Sequence, residues 1–193
     1  LAAVVALVLA LSLSGAPPHE AQAVLVASGP ALVAACLAGI VRARSCFMHE
    51  LEASCLHSAV SVACARFAVL GGATLLALAF ACAACSVLVP VGCAAAYALA
   101  PYFVSAAGGL MLARRAAAAD ATIVVVAWSA GVGALCLLLR IAVPAAYSAG
   151  AIWVWAAVSA AGALWLVREA ADWLRLCAEG GVASGGSERL AAF

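Results

Sequence analysis

The sequence predicts an all-α membrane protein with about six transmembrane helices. Of its 193 residues, 69% are hydrophobic and 9% are charged, and the mean hydropathy is +1.24. Soluble domains are about half apolar and about one quarter charged, so a soluble chain of this length could not bury this much apolar surface. The apolar residues also fall into runs of about 20, which is the length that crosses a hydrocarbon core of about 30 Å as a helix.

The composition excludes several other classes of protein. The formal net charge is +1, which does not provide the basic surface of a nucleic-acid-binding protein. The hydrophobic content excludes a disordered chain, and nine cysteines in 193 residues are too sparse for a small disulfide-stabilised domain. Alanine occupies 56 positions, so pairs of small residues four apart arise by chance in every predicted helix. Such pairs therefore do not identify packing motifs in this sequence.

Charged residues delimit the first two predicted spans. The apolar run 1–14 is short, and we expect it to be either a truncated span or the apolar part of a cleaved signal peptide. Residues 21–41 form the next span, which Arg42 and Arg44 close. The fold therefore has six spans, or five if the first run is cleaved or truncated.

The third and fourth spans come from the longest uncharged stretch of the chain. No charged residue lies between Arg66 and Arg114, a stretch of 47 residues. This is long enough for two crossings, and Pro90-Val91-Gly92 predicts the turn between them. We therefore expect spans at 67–89 and 93–112.

Residues 121–139 form the fifth predicted span, and residues 147–167 form the sixth. Arg140 closes the fifth span, and Pro144 lies in the short connection between the two. Tyrosine and tryptophan residues lie toward both ends of the sixth span, as expected for side chains at the two membrane–water interfaces.

The C-terminal part of the chain is predicted to leave the membrane. Its charged residues recur at steps of four, three and four, and they are Arg168, Asp172, Arg175 and Glu179. This spacing places them on one helix face and predicts an amphipathic interfacial helix over 168–179. Residues 1–179 then form a single transmembrane domain, and the glycine-rich residues 180–193 form a flexible tail.

The distribution of arginine predicts the orientation in the membrane. With six spans, one side carries eight of the nine arginines, and the other side carries Arg140 alone. Basic residues accumulate in the loops on the cytoplasmic side. Both termini are therefore predicted to be cytoplasmic, or to lie in the matrix or stroma of an organelle.

Cys82 and Cys85 are the first candidate site. They lie three residues apart in the third span and share a helix face, as the active pair of a membrane thiol-redox protein would. Such proteins also need a second cysteine pair on a loop, and the loops predicted on that side are too short for one. The alternative is a structural or incidental role, because cysteine is also a small apolar residue in helices.

The second candidate site lies between the second and third spans. Four potential metal ligands follow one another at steps of three, with His57 close by, and they are Cys46, His49, Glu52 and Cys55. In a helix each step of three turns the side chain back by about 60°, so that neighbours can share a metal while the ends diverge. His49, Glu52 and His57 are also candidates for binding a cofactor, which the sequence does not identify. The alternative is an amphipathic interfacial helix with solvated carboxylates.

The middle of the membrane is predicted to lack ionisable side chains. The polar residues expected there are serines, which often bond to their own helix backbone, at positions 28, 105, 129 and 159. Proton-coupled transport and intramembrane proteolysis would need buried carboxylates or a serine–histidine pair, so both lose support.

The expected function is that of a non-catalytic structural, accessory or assembly subunit of a larger membrane complex. Its expected partners are the lipid bilayer and other membrane subunits or further copies of the chain. The alternative is a small-solute transporter or channel, in which Gly29-Pro30 and Pro101 interrupt helices along a path. A thiol-redox protein using Cys82 and Cys85 is the third hypothesis.

Overall fold

The computed structural model describes residues 18–45, 59–86, 90–116 and 120–190. These residues form long α-helices, and no strand occurs among them. The helices are α1 (Pro18–Ser45), α2 (Ala59–Cys85), α3 (Val91–Arg115), α4 (Ala121–Ala142) and α5 (Ile152–Leu190). The prediction of an all-helical fold is confirmed for the described part of the chain, and the predicted first span at 1–14 lies outside it.

Each of the five helices contains a segment long and apolar enough to cross a membrane. These segments are Gln22–Gly39, Phe67–Cys85, Val91–Arg115, Ala121–Ala142 and Ile152–Leu176. The five apolar helices are consistent with an integral membrane protein, as the sequence predicts. Large apolar side chains on α2, α4 and α5 point away from the bundle, among them Phe80, Leu138 and Leu164. Such residues are suited to contact with lipid chains.

Two prolines lie at helix boundaries, where the missing N–H of proline is tolerated. Pro90 lies directly before α3, and its carbonyl accepts the Ala94 N–H at 3.0 Å. Pro144 begins a connection of two short 3-10 turns, Pro144–Tyr147 and Ala149–Ala151, because proline has no N–H with which to continue α4. Helix α5 then begins at Ile152.

Helix α3 lies at the centre of the bundle. It packs against all four other helices, most extensively against α5, α1 and α4, while α2 packs along the edge formed by α1, α3 and α5. Paired contacts give the directions of the helices: Gly29 and Leu37 of α1 lie beside Tyr102 and Gly109 of α3 in the same order. Tyr97 and Arg114 of α3 lie beside Trp155 and Glu169 of α5 in the same order, so α1, α3 and α5 run parallel. The start of α4 at Val125 lies beside Gly109 near the end of α3, and Phe67 of α2 lies beside Trp173 of α5, so α2 and α4 run in the opposite direction.

Close approach of α3 to its neighbours depends on glycine. A Cβ atom at Gly29 would lie 3.0 Å from the carbonyl oxygen of Ala98, and one at Gly108 would lie 2.4 Å from the ring of Trp128. The Gly108 distance is shorter than real Cβ atoms show, and the Gly29 distance is tighter than nearly all real Cβ contacts, so a side chain at either position would force its neighbour to shift. Gly131 differs, because a Cβ there would meet nothing within 4 Å.

Two buried serine hydroxyls of the described helices bond to the backbone of their own helix. Ser28 donates to the Leu25 carbonyl at 2.7 Å, and Ser129 donates to the Val125 carbonyl at 3.0 Å. One bond joins two helices, since Thr74 Oγ1 lies 2.9 Å from the Tyr102 hydroxyl. This contact holds the peripheral helix α2 against the central helix α3.

Candidate functional site

A cluster of charged side chains joins α3 to α5 at one end of the bundle. Arg114 lies in the last turn of α3, and its Nη2 atom lies 2.9 Å from Glu169 Oε2. Its Nη1 atom lies 3.1 Å from Asp172 Oδ2, one turn further along α5. Arg175 makes a longer contact, with its Nη1 atom 3.9 Å from Asp172 Oδ1. Arg114 therefore bridges two carboxylates of the neighbouring helix.

Glu169 is the most enclosed member of this cluster. Its side chain is 11% exposed, whereas the side chains of Arg114 and Asp172 are 22% and 46% exposed. The Trp165 indole N–H donates a second interaction to it, to Oε1 at 3.3 Å. Burying a carboxylate is costly unless it is paired and hydrogen-bonded. Arg114 supplies the countercharge beside Oε2 and Trp165 supplies the hydrogen bond to Oε1, and both reduce this cost.

The local helix geometry explains why these side chains meet. Cα–Cβ bonds tilt toward the helix N-terminus, so Arg114 and Glu169 both lean back toward the apolar part of their helices. Glu169 and Asp172 are three residues apart on α5 and therefore face the same neighbour. A cation in the last turn of α3 is also favoured by the helix dipole.

An aromatic cluster occupies the opposite end of the bundle. The rings of Tyr97, Tyr147 and Trp155 contact one another with centroid separations of 5.2, 5.9 and 4.9 Å. The polar group of each donates to a backbone carbonyl: Tyr97 to Ser148 at 3.1 Å, Tyr147 to Cys136 at 3.0 Å, and Trp155 to Ala146 at 2.7 Å. The cluster thus ties the connection between α4 and α5 to three helices.

Tyr147 lies in that connection, outside the spanning segments. Burial raises the pKa of its phenol above the ordinary value. The phenol therefore stays protonated in the physiological range and remains a hydrogen-bond donor to the Cys136 carbonyl.

A shallow apolar groove of about 230 Å³ lies beside the aromatic cluster. Its walls come from the end of α4, the 3-10 turns and the first turns of α5. They are formed by Leu139, Ala146, Ala151, Val154, Trp155 and Val158. The indole N–H of Trp155 is already bonded to Ala146, so the groove presents hydrocarbon surface to whatever lies in it.

The cysteine candidates Cys82 and Cys85 both lie buried near the end of α2. Cys93 at the start of α3 and Cys136 near the end of α4 are buried as well. Four thiols therefore occupy the same end of the bundle as the aromatic cluster. Burial restricts the access that thiol–disulfide exchange requires. The thiol-redox interpretation of Cys82 and Cys85 stays a hypothesis.

The second candidate site lies outside the described residues. All of its members fall within residues 46–58, namely Cys46, His49, Glu52, Cys55 and His57. Where the structure does describe the chain, no group of three or more histidine, cysteine, aspartate or glutamate side chains is placed to hold a metal ion. The metal and cofactor hypotheses for 46–58 therefore stay predictions.

The pairing of Arg114 with Glu169 was not predicted from the sequence. Arg114 follows the predicted span 93–112, and Asp172 belongs to the predicted charged face of an interfacial helix. The signal that could have found the cluster is the spacing of Trp165, Glu169 and Asp172, which lie on one side of α5 within two turns. The identity of the facing helix, however, is not encoded in that spacing.

Comparison of the chain with protein-family models, with curated proteins and with solved structures finds no match.

Proposed function

We propose that this chain is a non-catalytic structural, accessory or assembly subunit of a larger membrane complex. The spacing of small residues in the sequence is not diagnostic, so the proposal rests on which of them the structure leaves exposed. An outward face of α4 is made of such residues, and we call it the α4 small face. Its members are exposed and follow the helical spacing of one side, and they are Ala127, Ala130, Gly131 and Ala134.

The α4 small face differs from the glycine contacts inside the bundle. Neighbouring helices already fill the space beside Gly108 and Gly29, whereas the space beside Gly131 is open. In membranes, small residues let two helix backbones approach closely, and van der Waals packing then drives their association. Larger apolar residues flank the face, including Val126 and Leu135, both of which are exposed. A spanning helix of another subunit is the partner suited to this surface.

The orientation belongs to the same proposal. Arg114, Arg115, Arg168 and Arg175 share the end of the bundle at which α3 finishes, and Arg140 lies at the end of α4, toward the other side. The positive-inside rule then places the arginine-rich end, and with it the C-terminus, on the cytoplasmic, matrix or stromal side. The N-terminus lies on the same side when residues 1–14 form the sixth span, as the sequence predicts.

The test is a comparison of complexes extracted from native membranes in a mild detergent. Gly131→Leu and Ala134→Leu place bulk on the α4 small face and should release the partner, so that the chain migrates at a lower mass. Ala79→Leu and Ala83→Leu are matched controls, because these residues are exposed on α2, and both variants should keep the complex intact. A wild-type chain that runs as a monomer without a co-purifying partner would end the proposal.

A small-solute transporter or channel is the second candidate function, and one observation favours it. Pro30 and Pro101 are both buried within the bundle, at the middle of their helices. Because proline has no N–H, the carbonyls of Val26 and Tyr97 lose their usual partner four residues on. Backbone carbonyls released in this way can coordinate a solute in broken membrane helices.

Proteoliposomes that contain only this protein test the second candidate. Solute flux that is lost in Pro30→Ala or Pro101→Ala would favour transport. A tight bilayer with no flux for a broad panel of solutes would count against it.

A further inference from the structure

The ion pairs between α3 and α5 leave the outer side of α5 basic. Arg114 holds both described carboxylates of this region, Glu169 and Asp172, on the side of α5 that packs against α3. Arg168 and Arg175 are exposed on the adjoining outer face, about 40° and about 60° around the helix axis from Asp172. They are seven residues apart, which places them within about 20° of each other around the helix axis.

Neither of these outer arginines is neutralised as closely as Arg114. Arg175 is 3.9 Å from Asp172, which Arg114 contacts at 3.1 Å, and its side chain is 78% exposed. Arg168 has no ion pair among the described residues. The two guanidinium groups are therefore available to an anion from outside the bundle.

The same stripe of α5 is apolar on the membrane side of the arginines. Its exposed members before Arg168 are Trp153, Ala157, Ala160 and Leu164. With a rise of about 1.5 Å per residue, Arg168 lies about 22 Å and Arg175 about 33 Å along the axis from Trp153. A hydrocarbon core is about 30 Å thick, so when Trp153 lies at one boundary, Arg168 lies about 8 Å inside the other boundary and Arg175 lies about 3 Å beyond it, next to the lipid headgroups.

We propose that Arg168 and Arg175 bind the phosphate of an anionic phospholipid whose acyl chains lie along the apolar stripe of α5. Guanidinium groups match phosphate oxygens with paired, charge-assisted hydrogen bonds. Long arginine side chains also reach from a spanning helix to the headgroup level without burying their charge. An anionic phospholipid matches both parts of this surface, because its phosphate lies beside the arginines and its acyl chains lie beside Leu164.

Native mass spectrometry of the full chain released from detergent micelles tests this site. The protein is loaded with phosphatidylglycerol or phosphatidylcholine, and the retained lipid is counted for the wild type, Arg168→Gln, Arg175→Gln and the double variant. A basic residue near an anionic surface contributes about 1 kcal/mol, so we expect about a fivefold loss of phosphatidylglycerol retention for each single variant and about 25-fold for the double variant. Phosphatidylcholine retention should not change.

Two controls separate lipid binding from folding and from general charge effects. Arg140→Gln removes one positive charge at the opposite end of the bundle and should leave phosphatidylglycerol retention unchanged. Arg168→Lys/Arg175→Lys keeps the charge and should retain more phosphatidylglycerol than the double glutamine variant. Wild-type retention by the double glutamine variant would overturn the proposal, as would equal retention of the two lipids.

A protein partner on the same arginines is the remaining outcome. Photo-cross-linking from Ala171, which is exposed between Arg168 and Arg175, distinguishes it in native membranes. Cross-links to phospholipid support the proposal, and cross-links to an acidic protein segment in place of lipid overturn it.

Discussion

Replacing Arg114 by alanine should loosen α5 from the rest of the bundle. The change leaves Glu169 with a largely buried carboxylate and no countercharge, and it also removes the closer of the two arginine partners of Asp172. Trp165 remains as the donor to Glu169, at 3.3 Å. The variant therefore tests whether the charged cluster stabilises the packing of α5 on α3.

The size of the effect follows from how far each carboxylate is buried. Breaking a fully buried pair costs about 3–5 kcal/mol, and an exposed pair contributes about 0–1 kcal/mol. The Glu169 side chain is 11% exposed but Arg114 is 22% exposed, so we expect about 2–3 kcal/mol from this pair. Asp172 is 46% exposed and adds less than about 1 kcal/mol. The expected loss for Arg114→Ala is about 3 kcal/mol.

Reversible unfolding in mixed detergent and SDS micelles, followed by circular dichroism, measures this change in the free energy of unfolding. Arg114→Ala/Glu169→Ala removes the uncompensated carboxylate, so it should be less destabilised than the sum of its single variants, with a coupling energy of about 2 kcal/mol. Arg115→Ala is the matched control, because Arg115 is the adjacent residue, is exposed and has no ion pair among the described residues. It should stay within about 0.5 kcal/mol of the wild type.

Strictly additive single variants, or an Arg114→Ala protein as stable as Arg115→Ala, would refute this account. Either result would mean that the apolar contacts of α5 hold it in place without the cluster.

Three further predictions concern the other end and the centre of the bundle. Gly108→Ala should lower the free energy of unfolding by about 1–3 kcal/mol, because the new Cβ would collide with the Trp128 ring. In the same unfolding assay, Gly131→Ala should be neutral or slightly stabilising. Tyr147→Phe should cost about 1 kcal/mol there, because it removes the bond to the Cys136 carbonyl, and equal stability of the two proteins would contradict that role. The thiol-redox hypothesis predicts that a mixed disulfide can be trapped in Cys85→Ala. If Cys82→Ala/Cys85→Ala functions like the wild type, the hypothesis is refuted.

The class of fold could be predicted because a bilayer constrains each segment separately. A spanning segment must satisfy its own backbone hydrogen bonds, so an apolar run of about 20 residues predicts a helix without knowledge of its neighbours. The uncharged stretch between Arg66 and Arg114 illustrates this. The structure has two helices there, α2 and α3, and Pro90 lies immediately before the second one.

The contacts that hold the helices together could not be predicted in the same way. Gly108 and Gly131 look alike in a sequence with 56 alanines and 16 glycines, yet only Gly108 lies against a neighbouring helix. The difference depends on which side of each helix faces a neighbouring helix. That choice is made by packing among all the helices, and no local pattern records it.

The sequence by itself determined that this protein is helical and apolar enough to cross a membrane, and it confined most of the arginines to one side of the predicted topology. Only the tertiary structure decided that Arg114 pairs with Glu169 and Asp172, and that Arg168 and Arg175 are left on the outer side of α5. The physical reason is the range of the interactions. Hydropathy acts on each helix separately, whereas an ion pair forms only when two helices far apart in the chain pack side by side.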